Sequence, residues 1–413
     1  MINRERIKEI YACEKLLVDK KEYFYGRYGL RRILNEKSNS RKIRFVMLPL
    51  TKLRGPGLVI LYIILSFELR KSVFSIFKDK IIFDDHAKRL IQDEIFYSYD
   101  SNYKKYTTSK SLHCPLKHFL NFKYLIRAYR SFNRQQPSSP LAFNGLCELW
   151  VYYTSYSYLL PKLNYTGALV VDDFSAKRLA LILAAKDAGM NTGLVKFSDE
   201  LKRNRPFLSF DVLFSWNYAQ SAELKGSYKF NSQMLRSFQQ IKVLSSDGNQ
   251  SYDIGIALKS LFNEENLIRL LKDLSGQQWV RDITVRFHPS TKNVNYLKET
   301  QRADYKVSEG DPVIFFKNID LLISGSTSLV KEALLAGVPV AYNPFLDIPQ
   351  GTDFYSYASE GLIYNLEEDN LAKSTLEKID KFYQSKKWQK MRDQWVSPDP
   401  EAISLKEALE KLL

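Results

Sequence analysis

Histidine and cysteine are scarce: four of the first and three of the second in 413 residues. Cys13, Cys114 and Cys147 show neither metal-ligand spacing nor an even framework, which points to a reducing compartment and away from a zinc site. Long hydrophobic runs are missing too. The longest, GLVILYIILSF over 57–67, stops at 11 residues, too few to span a bilayer, and reads as a buried core helix. The opening MINRERIKEIYACEKLL is charged and helix-like, without the apolar core or cleavage site of a signal peptide. There is no internal repeat, no low-complexity tract, no zinc-finger, RRM-type or KH-type signature, and no carboxylate cluster with metal spacing. Nucleic acid is therefore the least supported anionic partner, and no metal is expected.

What is present is a globular composition, 45% apolar and 14% aromatic, in a chain too long for one ordinary core. Two domains follow as the natural expectation. The net charge is +15, and all of it lies in one place. Residues 1–150 hold 29 Lys+Arg against 14 Asp+Glu, whereas residues 151–413 hold 32 of each. That asymmetry suggests an anionic surface or polymer as partner of the first part, against the plainer reading of solvated helix faces.

The pattern along the chain is α/β. Residues 1–37 read as helical and basic, 41–48 as a first strand, and 55–135 as mostly helical and aromatic. GALVVDD (167–173), SAKRLALILAAKDAG (175–189) and NTGLVKF (191–197) make a strand–helix–strand unit, followed by the strand FDVLFSW (210–216). Residues 227–250 are polar and read as an irregular boundary. Alternation then resumes: YDIGIAL, a helix EENLIRLLKDLSG, ITVRFHP, IDLLISG (319–325), the helix STSLVKEALLAG (326–337) and VPVAYN (338–343). These patterns predict a first domain over 1–235, which the resemblance given below makes the acceptor domain, a second domain over 240–385 and closing helices over 386–413.

Chemistry is expected at the C-terminal ends of parallel strands, where open α/β sheets bind ligands. His288 follows such a strand and is stiffened by Pro289. Ser326, Thr327 and Ser328 stand where another strand turns into a helix; they can cap it or offer N–H and hydroxyl donors to an anion. Glu332 shares a helix face with Ser328 and could accept from sugar hydroxyls. Asp173 ends the strand at 167–173 and is either a general base or a helix N-cap; Asp199 or Glu200 is the reserve base. Asp347 and Asp353 read equally well as turn residues, and Lys292 and Lys331 as cations that could be recruited.

The run from ITVRFHPSTK to IDLLISGSTSLVKEALLAGVPVAYN resembles the nucleotide-binding domain of GT-B transferases that build bacterial surface polysaccharides. Its His-Pro element followed by a Ser/Thr element is similar to the sialyl-, polysialyl- and Kdo transferases of capsule and lipopolysaccharide synthesis. CDP-glycerol and CDP-ribitol polymerases share a related pattern. The likeness covers about 167–345 and departs at two places: Phe174 stands where relatives often carry Gly after an acidic pair, and Lys196-Phe197-Ser198-Asp199 where many carry Gln-His-Gly.

The resemblance implies two Rossmann-like domains with parallel sheets facing across a cleft, and transfer of a CMP-activated ulosonic acid to a surface glycan or glycolipid. It implies His288, Ser326, Thr327 and Ser328 at the donor phosphate, with Asp173 as base. The expected partners are a nucleotide sugar, a glycan or glycolipid acceptor and, through residues 1–150, an anionic membrane surface; no cofactor is expected. The expected place is the cytoplasm or the inner face of the inner membrane. The alternatives are a CDP-polyol phosphotransferase, a UDP-sugar transferase and a non-catalytic binding protein of the same fold.

Overall fold

The computed structural model describes residues 55–69, 71–84, 95–96, 102–120, 140–171, 176–196, 209–234, 239–244, 251–259, 262–288, 291, 305–347, 353, 355–366 and 372–413. The strand expected at 41–48 lies outside them. The described residues form two Rossmann-like α/β units, each with a sheet of largely parallel strands. The first gathers those up to 196, then 209–234 and 398–413; the second takes 239–397.

The first unit opens with helix α1 (Gly55–Leu69) and strands β1 (Lys71–Phe77), β2 (Ile81–Asp84) and β3 (Thr107–His113). Short helix α2 (Leu116–Phe119), helix α3 (Pro140–Leu159), strand β4 (Gly167–Val170), helix α4 (Ala176–Asp187) and strands β5 (Asn191–Val195) and β6 (Phe210–Ser215) follow. Helix α5 (Tyr218–Glu223) and strand β7 (Tyr228–Gln233) complete the run. The sheet order is β3-β1-β2-β4-β5-β6-β7, parallel from β2 to β7, with β1 antiparallel to both its neighbours.

Three expectations are qualified here. The described residues of the stretch 55–135 hold three strands, β1 to β3, as well as helix. Phe74 and Ile82 face one apolar cluster, and Phe77, Ile81 and Phe83 face the other, which is the two-residue period of a strand buried on both faces. The hairpin between β1 and β2 turns through Lys78 and Asp79 at φ 50° and 53°. Without Gly or Asn there, the turn carries no compositional mark.

Residues 227–250 are not irregular throughout, since β7 lies at their start. Its polar side chains Asn231 and Gln233 are buried and paired. Asn231 donates to Asp399 at 2.7 Å and accepts from Ser215 at 2.9 Å, and Gln233 accepts the Asp399 N–H at 2.6 Å. Finally, α1 is not a buried core helix. Tyr62, Leu65 and Ser66 are buried, but Ile60, Ile64 and Phe67 are 42%, 40% and 54% exposed. The buried side lies on α3, where the Tyr62 hydroxyl donates to Thr154 at 3.3 Å, and on α2, where Tyr62 meets the Phe119 ring. Among the described residues no helix is long and apolar enough to cross a membrane.

The second unit contains strand β8 (Tyr252–Ala257), helix α6 (Glu264–Ser275), strands β9 (Val280–Arg286) and β10 (Lys306–Val307), helix α7 (Pro312–Lys317) and strand β11 (Leu321–Ser324). It continues with helix α8 (Leu329–Leu335), strands β12 (Val340–Tyr342) and β13 (Tyr364–Asn365), and helices α9 (Lys373–Gln384) and α10 (Lys386–Val396). The sheet is wholly parallel in the order β10-β9-β8-β11-β12-β13. Helix α6 shows why these sequences fold as they do. Asn263 caps its start by accepting the Asn266 N–H, and Leu267, Leu270, Leu271 and Leu274 form a buried stripe. Phe315 of α7 and Ile319 after it close over Gly255 of β8, where a Cβ would meet Ile319 at 2.5 Å. Helix α11 (Leu405–Glu410) follows the return to the first unit, so the closing helices are divided between the units.

Candidate functional site

Because the second sheet is wholly parallel, all its strands deliver their C-terminal ends to one edge. Ala257 of β8 pairs with Arg286 of β9 on one side and with Ser324 of β11 on the other. Two residues beyond each of these stand Lys259, His288 and Ser326. Counting on from that paired row, the three form one row by position, with Lys259 after the middle strand. His288 and the Ser-Thr-Ser turn are therefore not on neighbouring strands: β8 runs between them. With neighbouring strands about 4.8 Å apart, β9 and β11 are separated by about 10 Å.

His288 is half-buried, and its carbonyl accepts the Thr291 N–H at 2.8 Å. Phe287 before it is buried against Phe262. Arg286 is buried and donates to the Gly310 carbonyl at 2.6 Å and to Ser308 at 3.3 Å. Burial pulls its pKa down, while the charges of Glu332 and Asp311 push it back up. Arg286 thus fixes the segment after β10, and Glu332, half-buried on α8, lies in its field. Pro289 and Lys292 lie outside the described residues.

Ser326 and Thr327 are both 6% exposed and Ser328 is half-buried. Neither Ser326 nor Thr327 takes the cap position of α8. Ser328 holds it with no side-chain cap bond, and Thr327 Oγ1 accepts the Leu329 N–H only at 3.4 Å. The Ser326 N–H points instead at Asp347, whose carboxylate accepts it at 2.9 and 3.1 Å through its two oxygens. Asp347 also accepts the Tyr342 hydroxyl at 3.1 Å and pairs with Lys259 at 3.0 Å. Its side chain is wholly buried, and that burial pushes its carboxyl above the ordinary range, against the pull of Lys259, the Ser326 N–H and Tyr342. Gly325 makes this possible: a Cβ there would collide with the Asp347 carboxylate.

Asp347 is therefore no mere turn residue. Asp353 is one, with its side chain accepting the Ser359 N–H at 2.8 Å and its carbonyl the Ser356 N–H. Lys331, named as a recruitable cation, is buried with its ammonium 5.3 Å from the Trp395 ring. Lys259 escaped the sequence reading, although it stands in YDIGIALK where His288 stands in ITVRFH, two residues past the last paired position.

In the first unit, β4 delivers Val171, buried, to the same kind of edge. The candidate base Asp173 and the reserves Asp199 and Glu200 lie outside the described residues. Lys196, after β5, is 4% exposed, and its N–H donates to the Phe214 carbonyl at 2.9 Å. Among the described residues no group of His, Cys, Asp and Glu could hold a metal ion.

No family model and no curated protein matches this chain. Solved structures resemble it distantly. The UDP-GlcNAc 2-epimerase of Methanocaldococcus jannaschii, in complex with UDP-GlcNAc and UDP, is 15% identical, with 70% of this chain and 87% of that chain covered at a TM-score of 0.40. MurG of Acinetobacter baumannii is 12% identical over 64% and 79%, at 0.39. Arabidopsis thaliana UGT89C1 is 12% identical over 67% and 80%, at 0.42. Likenesses this distant carry no weight for activity or substrate.

Proposed function

We propose that this protein is a GT-B glycosyltransferase that moves a CMP-activated ulosonic acid, of the sialic acid or Kdo kind, onto a bacterial surface glycan or glycolipid. The observation that carries the reading is the placement of His288 and Ser326 in one row by position at the C-terminal edge of a wholly parallel sheet. Thr327, Ser328 and Glu332 follow Ser326 into α8. An acceptor hydroxyl attacks the anomeric carbon, and the bond from that carbon to the CMP phosphate oxygen breaks. His288 hands a proton to the departing phosphate, Ser326, Thr327 and Ser328 donate to its oxygens, and Glu332 accepts from sugar hydroxyls. Asp173 takes the proton of the attacking hydroxyl. No step requires a metal, because fixed donors stabilise the leaving charge.

Thermal denaturation with CMP, CDP, UDP and GDP at equal concentration tests the donor class. CMP is expected to stabilise most, by about 2.7 kcal/mol at a hundredfold excess over Kd. The shift is expected to vanish in the double variant Ser326→Ala/Thr327→Ala. A larger shift with UDP would replace the reading by a UDP-sugar transferase, and a larger one with CDP by a polyol phosphotransferase. Tight nucleotide binding with no turnover would leave a binding protein.

The same proposal assigns the first unit an anionic lipid surface, at the inner face of the membrane that carries the acceptor. Two observations support it: the whole +15 excess within residues 1–150, and the exposed Ile60, Ile64 and Phe67 along α1. Spaced four and three apart, these three share a helix face, and Lys71 and Lys117 are exposed at the strand and helix next to it.

A further inference from the structure

The site residues named so far leave the centre of that row unassigned. Lys259 stands there, between His288 and Ser326. Its side chain is 21% exposed, so it reaches solvent at the ligand edge of the sheet. Among the described residues its ammonium has one partner, Asp347 Oδ1 at 3.0 Å. An ammonium carries three donors, so two remain for something beyond the protein.

Asp347 holds this lysine from beneath. Its carboxylate is wholly buried and ties three strand ends together: Lys259 after β8, the Ser326 N–H after β11 and the Tyr342 hydroxyl of β12. A buried ion pair is a poor device for stability alone, since desolvating the charges costs about as much as the pair returns. It is a good device for fixing where a charge stands, and the missing Cβ of Gly325 is what admits the carboxylate.

We infer that Lys259 is a phosphate-contacting residue of the donor site, held in place by Asp347, and that the anion is bound by His288, Lys259 and the Ser326–Thr327 hydroxyls as one row. This rests on the donor-site reading above and deepens it. The ligand class is a phosphate ester of a nucleoside. The cation takes over the charge-neutralising role that His288 alone would otherwise carry, which leaves the imidazole to move its proton.

Removing Lys259 alone would strand a buried carboxylate, so the test is made in a background where that charge is gone. In Asp347→Asn the amide oxygen still accepts the Ser326 N–H, and Lys259 remains. Calorimetric Kd values are compared for the parent, Asp347→Asn and Asp347→Asn/Lys259→Met, with far-UV circular dichroism to establish that all three are folded. The probe is whichever of CMP, CDP, UDP and GDP the parent binds most tightly. Asp347→Asn is expected to weaken binding about three- to tenfold, because the lysine loses its anchor, and adding Lys259→Met to weaken it about ten- to hundredfold further, the size of a lost charge-assisted hydrogen bond. Equal Kd values, within about threefold, for the single and double variants would overturn the inference and make the pair purely structural. If the preferred nucleotide is not CMP but the lysine still matters, the donor reading fails and Lys259 stands. If CMP is preferred and the lysine does not matter, the inference alone fails. A parent that binds none of the four would overturn both.

Discussion

Gly193 in β5 and Gly325 after β11 are both places where a Cβ would displace a neighbour, yet the neighbours are of opposite kinds. A Cβ on Gly193 would meet Leu169 at 2.6 Å and Leu412 at 3.1 Å, apolar atoms that close the sheet of the first unit. One on Gly325 would meet the Asp347 carboxylate. At Gly193 the first unit seals a core; at Gly325 the second draws a charge to the strand ends. The carboxylates differ in the same sense. Asp211 in the first unit accepts from Thr192 and pairs with Lys229 at 2.9 Å, and these bonds hold its pKa down despite burial. Asp347 in the second is held up by burial. Two sheets of one architecture thus carry different burdens at these two glycines.

The sharpest way to test that division is at the proposed chemistry. His288→Ala is expected to lower turnover about 10²–10³-fold, while thermal stability stays near the parent's. Turnover near the parent's would remove His288 from the leaving group.

Next in size is a pair of glycine substitutions. Gly325→Ala is expected to cost about 3 kcal/mol in urea denaturation, because it displaces a buried, paired carboxylate. Gly193→Ala is expected to cost about 1–2 kcal/mol, since the Leu169 and Leu412 side chains can give way. Nucleotide affinity is expected to fall in the first and hold in the second; equal effects on both readouts would erase the contrast.

The membrane surface should respond more modestly. Vesicle sedimentation with anionic and neutral lipid is expected to favour the anionic, and less so as salt rises. Ile64→Glu/Phe67→Glu should weaken it about tenfold or more by removing apolar contact. Equal pelleting with neutral and anionic vesicles would sink the proposal.

The smallest expected effect is in pH. The Asp347 carboxyl is raised in the folded state, so the folded form binds the extra proton, and the stability this group contributes is lost as pH rises past the ordinary carboxylate range. Asp211 is lowered, so its contribution is present at neutral pH and lost as pH falls below that range. Comparing Asp347→Asn and Asp211→Asn with the parent between about pH 6 and pH 3 should give stability differences that move in opposite directions. Parallel trends would mean that the two carboxylates sit in equivalent surroundings.

How far the sequence revealed all this depended on whether burial followed polarity. Strands β8, β9, β11 and β12 announce themselves as apolar runs, and His288 and Ser326 could be placed at their ends without coordinates. Strand β7 hid because its buried Asn231, Ser232 and Gln233 are polar and find partners or neighbours at 215–216 and in 399–403, far along the chain. Strands β1 and β2 hid behind a turn without glycine. Register was the other missing ingredient. Adjacency in sequence does not say whether the strands bearing His288 and Ser326 are neighbours, and only the crossover that inserts β8 between them brings Lys259 into view. Asp347 looked like loop punctuation because the group that gives it meaning, the Ser326 N–H, is 21 residues away.

The return of residues 398–413 to the first unit has a consequence for synthesis. Leu412 fills the space over Gly167 and Gly193, and the Ile403 N–H donates to the Asn231 carbonyl at 2.8 Å. A ribosome makes those residues only after the entire second unit. The unit whose chain emerges first therefore waits for its closing segment while the later one is translated and can fold ahead of it. Order of birth and order of completion are reversed, and apolar side chains such as Leu169 and Phe214 gain Leu412 as a cluster neighbour only at the end.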